Sequence, residues 1–232
     1  MSKSCFAYLG VCFLITQLAL GIAPVAAQTA PSAKEIEGYS GLYQAAHSGD
    51  MVALKRHITE GTDLEARDSN GRTPLHVAAF ASRYDVVRIL IESGADPNVL
   101  DDQAYDIVTI ASVDDDLKMV DLALKLGTSA GNITSPYDGT ALIAAAHLGH
   151  YEVVERLIAG GAPLNHVNNL GWTALMEAVV LGDGGQDHVK TVRALVEAGA
   201  DREISDNYGV TPIRHARVRG YREIVEILET SN

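Results

Sequence analysis

Few side chains in this 232-residue chain are spaced so that they could do chemistry together. The densest group is Asp183, Asp187 and His188, inside the stretch Leu181-Gly182-Asp183-Gly184-Gly185-Gln186-Asp187-His188. Carboxylate oxygens and imidazole are ordinary cation ligands, so a metal-dependent activity is the chemistry this group would offer. Its spacing matches neither a calcium hand nor a zinc motif, and a solvated loop with a capping aspartate is the simpler expectation. Asp114-Asp115-Asp116 looks like a second cluster, but three consecutive side chains cannot all converge on one ion. Acidic side chains favour the positive end of a helix dipole, so this run reads as a helix start. The chain has no Gly-x-Ser-x-Gly, phosphate loop, paired-histidine zinc motif or dinucleotide fingerprint. The expectation is a non-catalytic protein without cofactor or metal.

Both cysteines, Cys5 and Cys12, fall in an N-terminal apolar segment running from Phe6 to Ile22 with an interruption at Gln17. Lys3 precedes it, and Val25-Ala26-Ala27 places small residues where a signal peptidase reads them, so a leader over residues 1–27 is expected. Thr16, Gln17, Gly21 and Pro24 weaken the alternative of a membrane anchor, which needs about 20 apolar residues. Cleavage after Ala27 would send the rest outside the cytoplasm, periplasmic or secreted, without thiols and without stable membrane insertion. The formal net charge of −12 opposes non-specific binding to nucleic acid. Residues 28–37 read as a flexible, disordered lead-in.

The rest of the chain repeats itself. Thr73-Pro74-Leu75-His76-Val77-Ala78-Ala79 is followed by Val86-Val87, Leu90-Ile91 and Gly94-Ala95-Asp96. Shifted 33 residues back, Leu42, Ala45-Ala46, Ile58 and Gly61 come into register. Shifted 67 forward, Thr140, Leu142, Ala145-Ala146, Val153-Val154, Leu157-Ile158 and Gly161-Ala162 do so. Self-similarity at such a period marks an array of stacked units. Thr73 with Pro74 reads as an N-cap followed by proline at the first helical position, where its missing N–H costs nothing. Leu75, Ala78 and Ala79 give a short first helix its buried stripe, and Val86, Val87, Leu90 and Ile91 do the same for a second. Gly94 supplies a left-handed helix end, and Asn70-Gly71 a tight hairpin-type turn.

The motif GRTPLHVAA…DVVRILIESGADPN resembles the ankyrin repeat, and the resemblance covers residues 38–232. The runs NHVNNLGWTALMEAVVLGDGG and GVTPIRHARVRGYREIVEIL are similar to small exported bacterial ankyrin-repeat proteins of unassigned biochemistry. The resemblance implies an all-α solenoid of six helix-turn-helix units joined by short β-hairpin-like turns: 38–67, 68–100, 101–134, 135–167, 168–205 and 206–232. It also implies a curved stack, a monomer, that binds a protein partner with its turn tips and concave helix face. His76 would bond locally to backbone and fix its turn. His47 and His147 would fall at matching positions on the contact face, and His57 would be a packed cap residue.

Two units depart from the pattern. In the third, Ala104 replaces the turn glycine, Asp106-Ile107 replaces Thr-Pro, and Ala123 replaces a core leucine. Asp106 retains the ability to cap, and this unit is expected to be the weakest joint of the array. The fifth carries five extra residues around Asp183. The last unit adds a basic run, Arg214, Arg217, Arg219 and Arg222, which is either a docking patch for an acidic partner or a solvated cap.

The residues just before each unit's threonine position are Tyr39, Arg72, Tyr105, Gly139, Trp172 and Val210. Three aromatics and an arginine at such tips form an interface-like set, because these side chains dominate binding energy. Tyr137, Leu170 and Tyr208, with Phe80 and His147 on the helix face, extend the candidate partner-binding patch. The alternative is that the tips pack on one another along the stack.

Overall fold

A computed structural model describes residues 28–230. The expected leader, with Cys5 and Cys12, lies outside the described residues. After a short helix α1 (Ala33–Gly38), the described chain forms six antiparallel helix pairs. They are α2 (Gly41–Ser48) with α3 (Met51–Thr59), α4 (Pro74–Phe80) with α5 (Tyr84–Glu92), and α6 (Ile107–Val113) with α7 (Leu117–Lys125). Then come α8 (Ala141–Leu148) with α9 (Tyr151–Ala159), α10 (Ala174–Val180) with α11 (Gln186–Glu197), and α12 (Pro212–Arg219) with α13 (Arg222–Glu229). First helices pack on first helices and second on second, so the all-α stack holds as expected.

Each pair forms for the reasons its residues give. Thr73 is extended at the N-cap of α4 and Pro74 takes the first turn. His76 Nδ1 accepts the Thr73 backbone N–H at 3.1 Å, and its Nε2 lies 3.0 Å from the Tyr105 carbonyl of the next unit. The tautomer that fits donates from Nε2, and burial pushes the imidazole pKa below its ordinary value, keeping it neutral. Leu75, Ala78, Val87 and Leu90 are buried, and the same stripe recurs from Leu42 to Leu228 as one continuous core. Each fully buried leucine or valine contributes about 1.5–3 kcal/mol of apolar transfer free energy, which is why pairs too short to stand alone persist in the array.

The turns are hairpin-like. Asp68, Asp101, Asn168 and Asp206 each donate a backbone N–H to the carbonyl four residues on, at 3.0 Å. Each also accepts two backbone N–H bonds on its side-chain oxygen; Asn168 Oδ1 receives Leu170 and Trp172, both at 3.0 Å. Gly71 sits at φ +71°, and a Cβ there would come within 2.1 Å of the Asp102 carboxylate.

Neighbouring units are also clamped by side chains that donate to the carbonyls ending the inner helices. Arg83 reaches His47 O at 2.8 Å, His150 reaches Ser112 O at 2.9 Å, His188 reaches His147 O at 3.0 Å, and Arg219 reaches Val180 O at 3.0 Å. Between units two and three the contact has another form: Ser82 and Tyr84 donate hydroxyls to the Asp116 carboxylate at 3.0 and 3.0–3.1 Å. In the third unit Ala104 is held at φ +60°, a conformation that costs a residue with a Cβ about 1–2 kcal/mol. Asp106 does cap α6, accepting the Thr109 N–H at 2.8 Å, and Ala123 is fully buried.

The lead-in departs from expectation. Residues 33–38 are helical, and Ser32 with Glu35 forms a reciprocal capping box. The pattern Ser-x-x-Glu was legible in the sequence as a helix start.

Candidate partner-binding face

The inner face and the turn tips carry exposed side chains, as does the second helix of the first unit at Val52. Tyr208 at the sixth tip is 91% exposed, and Val218 on α12 is 86% exposed. Trp172, Leu170 and Tyr137 at the tips of units five and four are half-buried, as are Phe80 on α4 and His147 on α8. These six predicted residues, Tyr208 among them, keep surface available.

Of the other three predicted contact residues, two are buried and the third is engaged within the stack. Arg72 has no exposed surface at all: its Nε donates to Asp68 Oδ2 at 2.8 Å, Nη1 to the Thr29 carbonyl at 3.1 Å, and Nη2 pairs with Glu35. Tyr105 is 5% exposed and belongs to the core, where burial pushes its phenol up to about 12. Tyr39 is half-buried, donates its hydroxyl to Asp68 Oδ2 at 2.9 Å, and stacks on Tyr43 with ring centroids 5.3 Å apart. The causes differ: the chain before the first unit folds over Arg72, Tyr105 packs into the core, and Tyr39 is held by Asp68 and Tyr43.

The tips are further joined by their backbones. Asp102 donates its N–H to Asn70 O at 3.1 Å, Ser135 to Ala104 O at 2.8 Å, and Asn169 to Tyr137 O at 2.9 Å. Tips therefore do interlock through the backbone, while the side chains of Trp172, Tyr137 and Tyr208 retain exposure. The C-terminal basic run is partly consumed as well: Arg217 pairs with Glu229 at 2.7 Å and Arg219 clamps the fifth unit.

At the centre of the inner face lies a polar group that sequence reasoning missed. Glu177 is 4% exposed; its Oε1 accepts from Asn168 Nδ2 at 3.0 Å, and its Oε2 lies 3.2 Å from His147 Nδ1. One unit on, Asp206 Oδ2 and His215 Nε2 meet at 2.8 Å. Burial would raise the Asp206 carboxyl, but the N–H groups of Val210 and Tyr208 and the His215 ring hold it below its ordinary value. Both pairs are nine residues apart, a spacing that places a turn residue beside the fourth residue of the following inner helix.

Both the repeated sequence and this geometry match known proteins. The family model for ankyrin repeats matches residues 7–101 and 108–201. The chain is also 35% identical over 185 residues to the ankyrin repeat protein YahD of Escherichia coli K12, covering 79% of this chain and 92% of that protein. The chain belongs to the ankyrin-repeat family. An ankyrin repeat domain from Acinetobacter baumannii AYE, solved as a crystal structure, has a TM-score of 0.76 at 43% identity. It is covered to 95% and covers 81% of this chain. A second crystal structure, the ankyrin repeat protein EF0377, superposes with a TM-score of 0.77 at 33% identity, covering 84% of this chain and 100% of that one.

Ankyrin repeats generally mediate protein–protein interaction. Within this ankyrin stack the fifth-unit insertion is tied internally. His188 Nδ1 meets Asp183 Oδ1 at 2.9 Å and its Nε2 meets His147 O, so both ring nitrogens are engaged with protein acceptors. Asp187 pairs with Lys190 at 3.4 Å. Asp183 and His188 thus pair with each other and Asp187 pairs with Lys190, and through His188 the loop clamps ankyrin units four and five.

Proposed function

We propose that this ankyrin protein is a non-catalytic scaffold that captures a protein partner through the tips and inner face of units four to six. Tyr137, His147, Leu170, Trp172 and Tyr208 are the residues that carry the contact. The observation behind this reading is the exposure of Tyr208: a large aromatic tip, 91% in solvent, on a turn whose backbone is fixed by Asp206. A rigid support and an aromatic anchor together lower the ordering cost of binding and supply buried area when a partner arrives. The leader-like segment over residues 1–27 supports a site of action outside the cytoplasm, and acting as a monomer would leave the inner face open. The reading assigns no enzyme role: the Asp183–His188 pair ties units four and five together, and the Asp206–His215 and Glu177–His147 pairs join turn and inner-helix residues within the stack.

The test is a crosslinking pull-down from envelope extract with wild type and with the Trp172→Ala/Tyr208→Ala double variant. A discrete crosslinked protein in wild type, lost in the variant at unchanged thermal stability, supports the reading. Capture that survives both substitutions moves the interface elsewhere. Absence of any discrete partner in wild type favours a purely structural role in the envelope.

A further inference from the structure

Residues 28–38 do more than precede the array. They lie along the turn tips and inner helices of units two and three and reach main-chain and side-chain groups far away in sequence. Gln28 Nε2 donates to the carbonyl of Ile110, on α6, at 3.1 Å. The Thr29 carbonyl accepts from Arg72 Nη1 at 3.1 Å. One oxygen of Glu35 takes both Arg72 Nη2 and Asn70 Nδ2. The other oxygen is held by Ser32, whose N–H donates at 2.8 Å in the capping box.

We infer that this segment is an intramolecular ligand, a strap that closes the Arg72 end of the ankyrin face and must leave before a partner can use it. The inference deepens the scaffold reading and rests on it. Three features separate a strap from a further repeat. First, its contacts are polar: α1 buries none of its own residues, whereas every repeat helix buries at least one apolar residue. Second, the groups it satisfies are those an extended external chain would satisfy, namely a tip guanidinium, a tip amide and an inner-helix carbonyl. Third, its hold concentrates on one carboxylate. The Ser32 hydroxyl and N–H, with Arg72 behind them, keep the Glu35 carboxyl below its ordinary value. Opening costs these charge-assisted bonds but exposes little apolar surface, so it does not require unfolding of the array. Arg72 stays paired with Asp68 when the strap leaves. The uncovered tip then offers a cation to an incoming acidic side chain.

The experiment compares the full chain with its Ser32→Ala/Glu35→Ala variant and needs no partner, so it stands or falls apart from the pull-down. Limited trypsin digestion at Lys34 reads strap opening, urea unfolding reads the array, and a labelled synthetic peptide of residues 28–39 reads whether the face is free. Loss of charge-assisted bonds speeds cleavage at Lys34 about tenfold or more. The urea midpoint of the array is unchanged, and the peptide binds the variant about tenfold more tightly than it binds wild type. Unchanged cleavage overturns the proposal, because the strap is then not held by these groups. A fall in urea midpoint that tracks the cleavage also overturns it, making the segment an ordinary cap. Equal peptide binding to both proteins shows a face that was never closed, and overturns it too.

Discussion

Asn168 donates its side-chain amide to Glu177 across nine residues at 3.0 Å, while in the last unit Asp206 and His215 hold the same relationship with donor and acceptor exchanged. The turn residue must accept two backbone N–H groups through one oxygen, which Asp and Asn do equally well. What it does with its second atom depends on the helix residue it faces: an amide suits the Glu177 carboxylate, and a carboxylate suits the His215 ring.

Asn168→Asp therefore sets two carboxylates about 3 Å apart in a buried site. The expected loss is about 1–3 kcal/mol at neutral pH, from the lost hydrogen bond and the repulsion together. One carboxyl of the variant pair has its folded pKa raised, so the deficit is full above that value and shrinks as pH falls through it. Thermal unfolding of wild type and variant between neutral and mildly acidic pH checks this; a deficit independent of pH contradicts it.

Gly71 and Gly61 both have positive φ, +71° and +74°, but only at Gly71 is the space filled. Gly61→Ala pays the left-handed conformation alone, about 1–2 kcal/mol. Gly71→Ala pays it and also drives a Cβ to 2.7 Å from the Asp102 backbone nitrogen, forcing the second and third turns apart. Urea denaturation should rank Gly71→Ala as clearly the worse of the two.

Asp116 caps α7 through the Met119 N–H at 3.0 Å and also receives Ser82 and Tyr84 from the preceding unit. Asp116→Ala removes a cap and the polar tie between units two and three, with an expected cost of about 1–2 kcal/mol. Hydrogen exchange should already show the third unit as the least protected in wild type, and selectively less so in the variant. Finding it the best protected unit refutes the weak-joint expectation.

The fifth-unit clamp has a pH dependence of definite sign. The Gly185 N–H, and after it the His188 ring, lower the Asp183 carboxyl from its ordinary 3.8. A depressed folded pKa gives stability that is present above 3.8 and lost as pH falls through the lower folded value. The Gly185 amide shift should titrate with a midpoint below 3.8 in wild type. In His188→Ala the midpoint should move back up, and the His147 carbonyl loses its donor.

Much of this was written in residue types. The Thr-Pro start of α4, the alanines facing the next unit and the glycine helix ends are local rules, and they place six pairs without reference to distant parts of the chain. The inner-face pairs were half legible: a spacing of nine from turn Asx to helix Glu or His is visible, but its meaning depends on the turn geometry that brings position and partner together. The error at Arg72 and Tyr105 has a different source. Both occupy tip positions by register, yet register says nothing about what crosses the tip, and Arg72 is covered by Thr29 and Glu35 from 43 and 37 residues away.

The sequence alone determined the repeat, its period and its helices, because each unit is specified by contacts within about one period and its neighbours. Tertiary structure alone decided which tips remain in water. Solvent exposure is a property of the whole chain's path: the ten or so residues before the first repeat fold back through hydrogen bonds to Arg72 and Ile110 that no local pattern encodes. One end of the face is thereby closed, and Tyr208 at the other is left free.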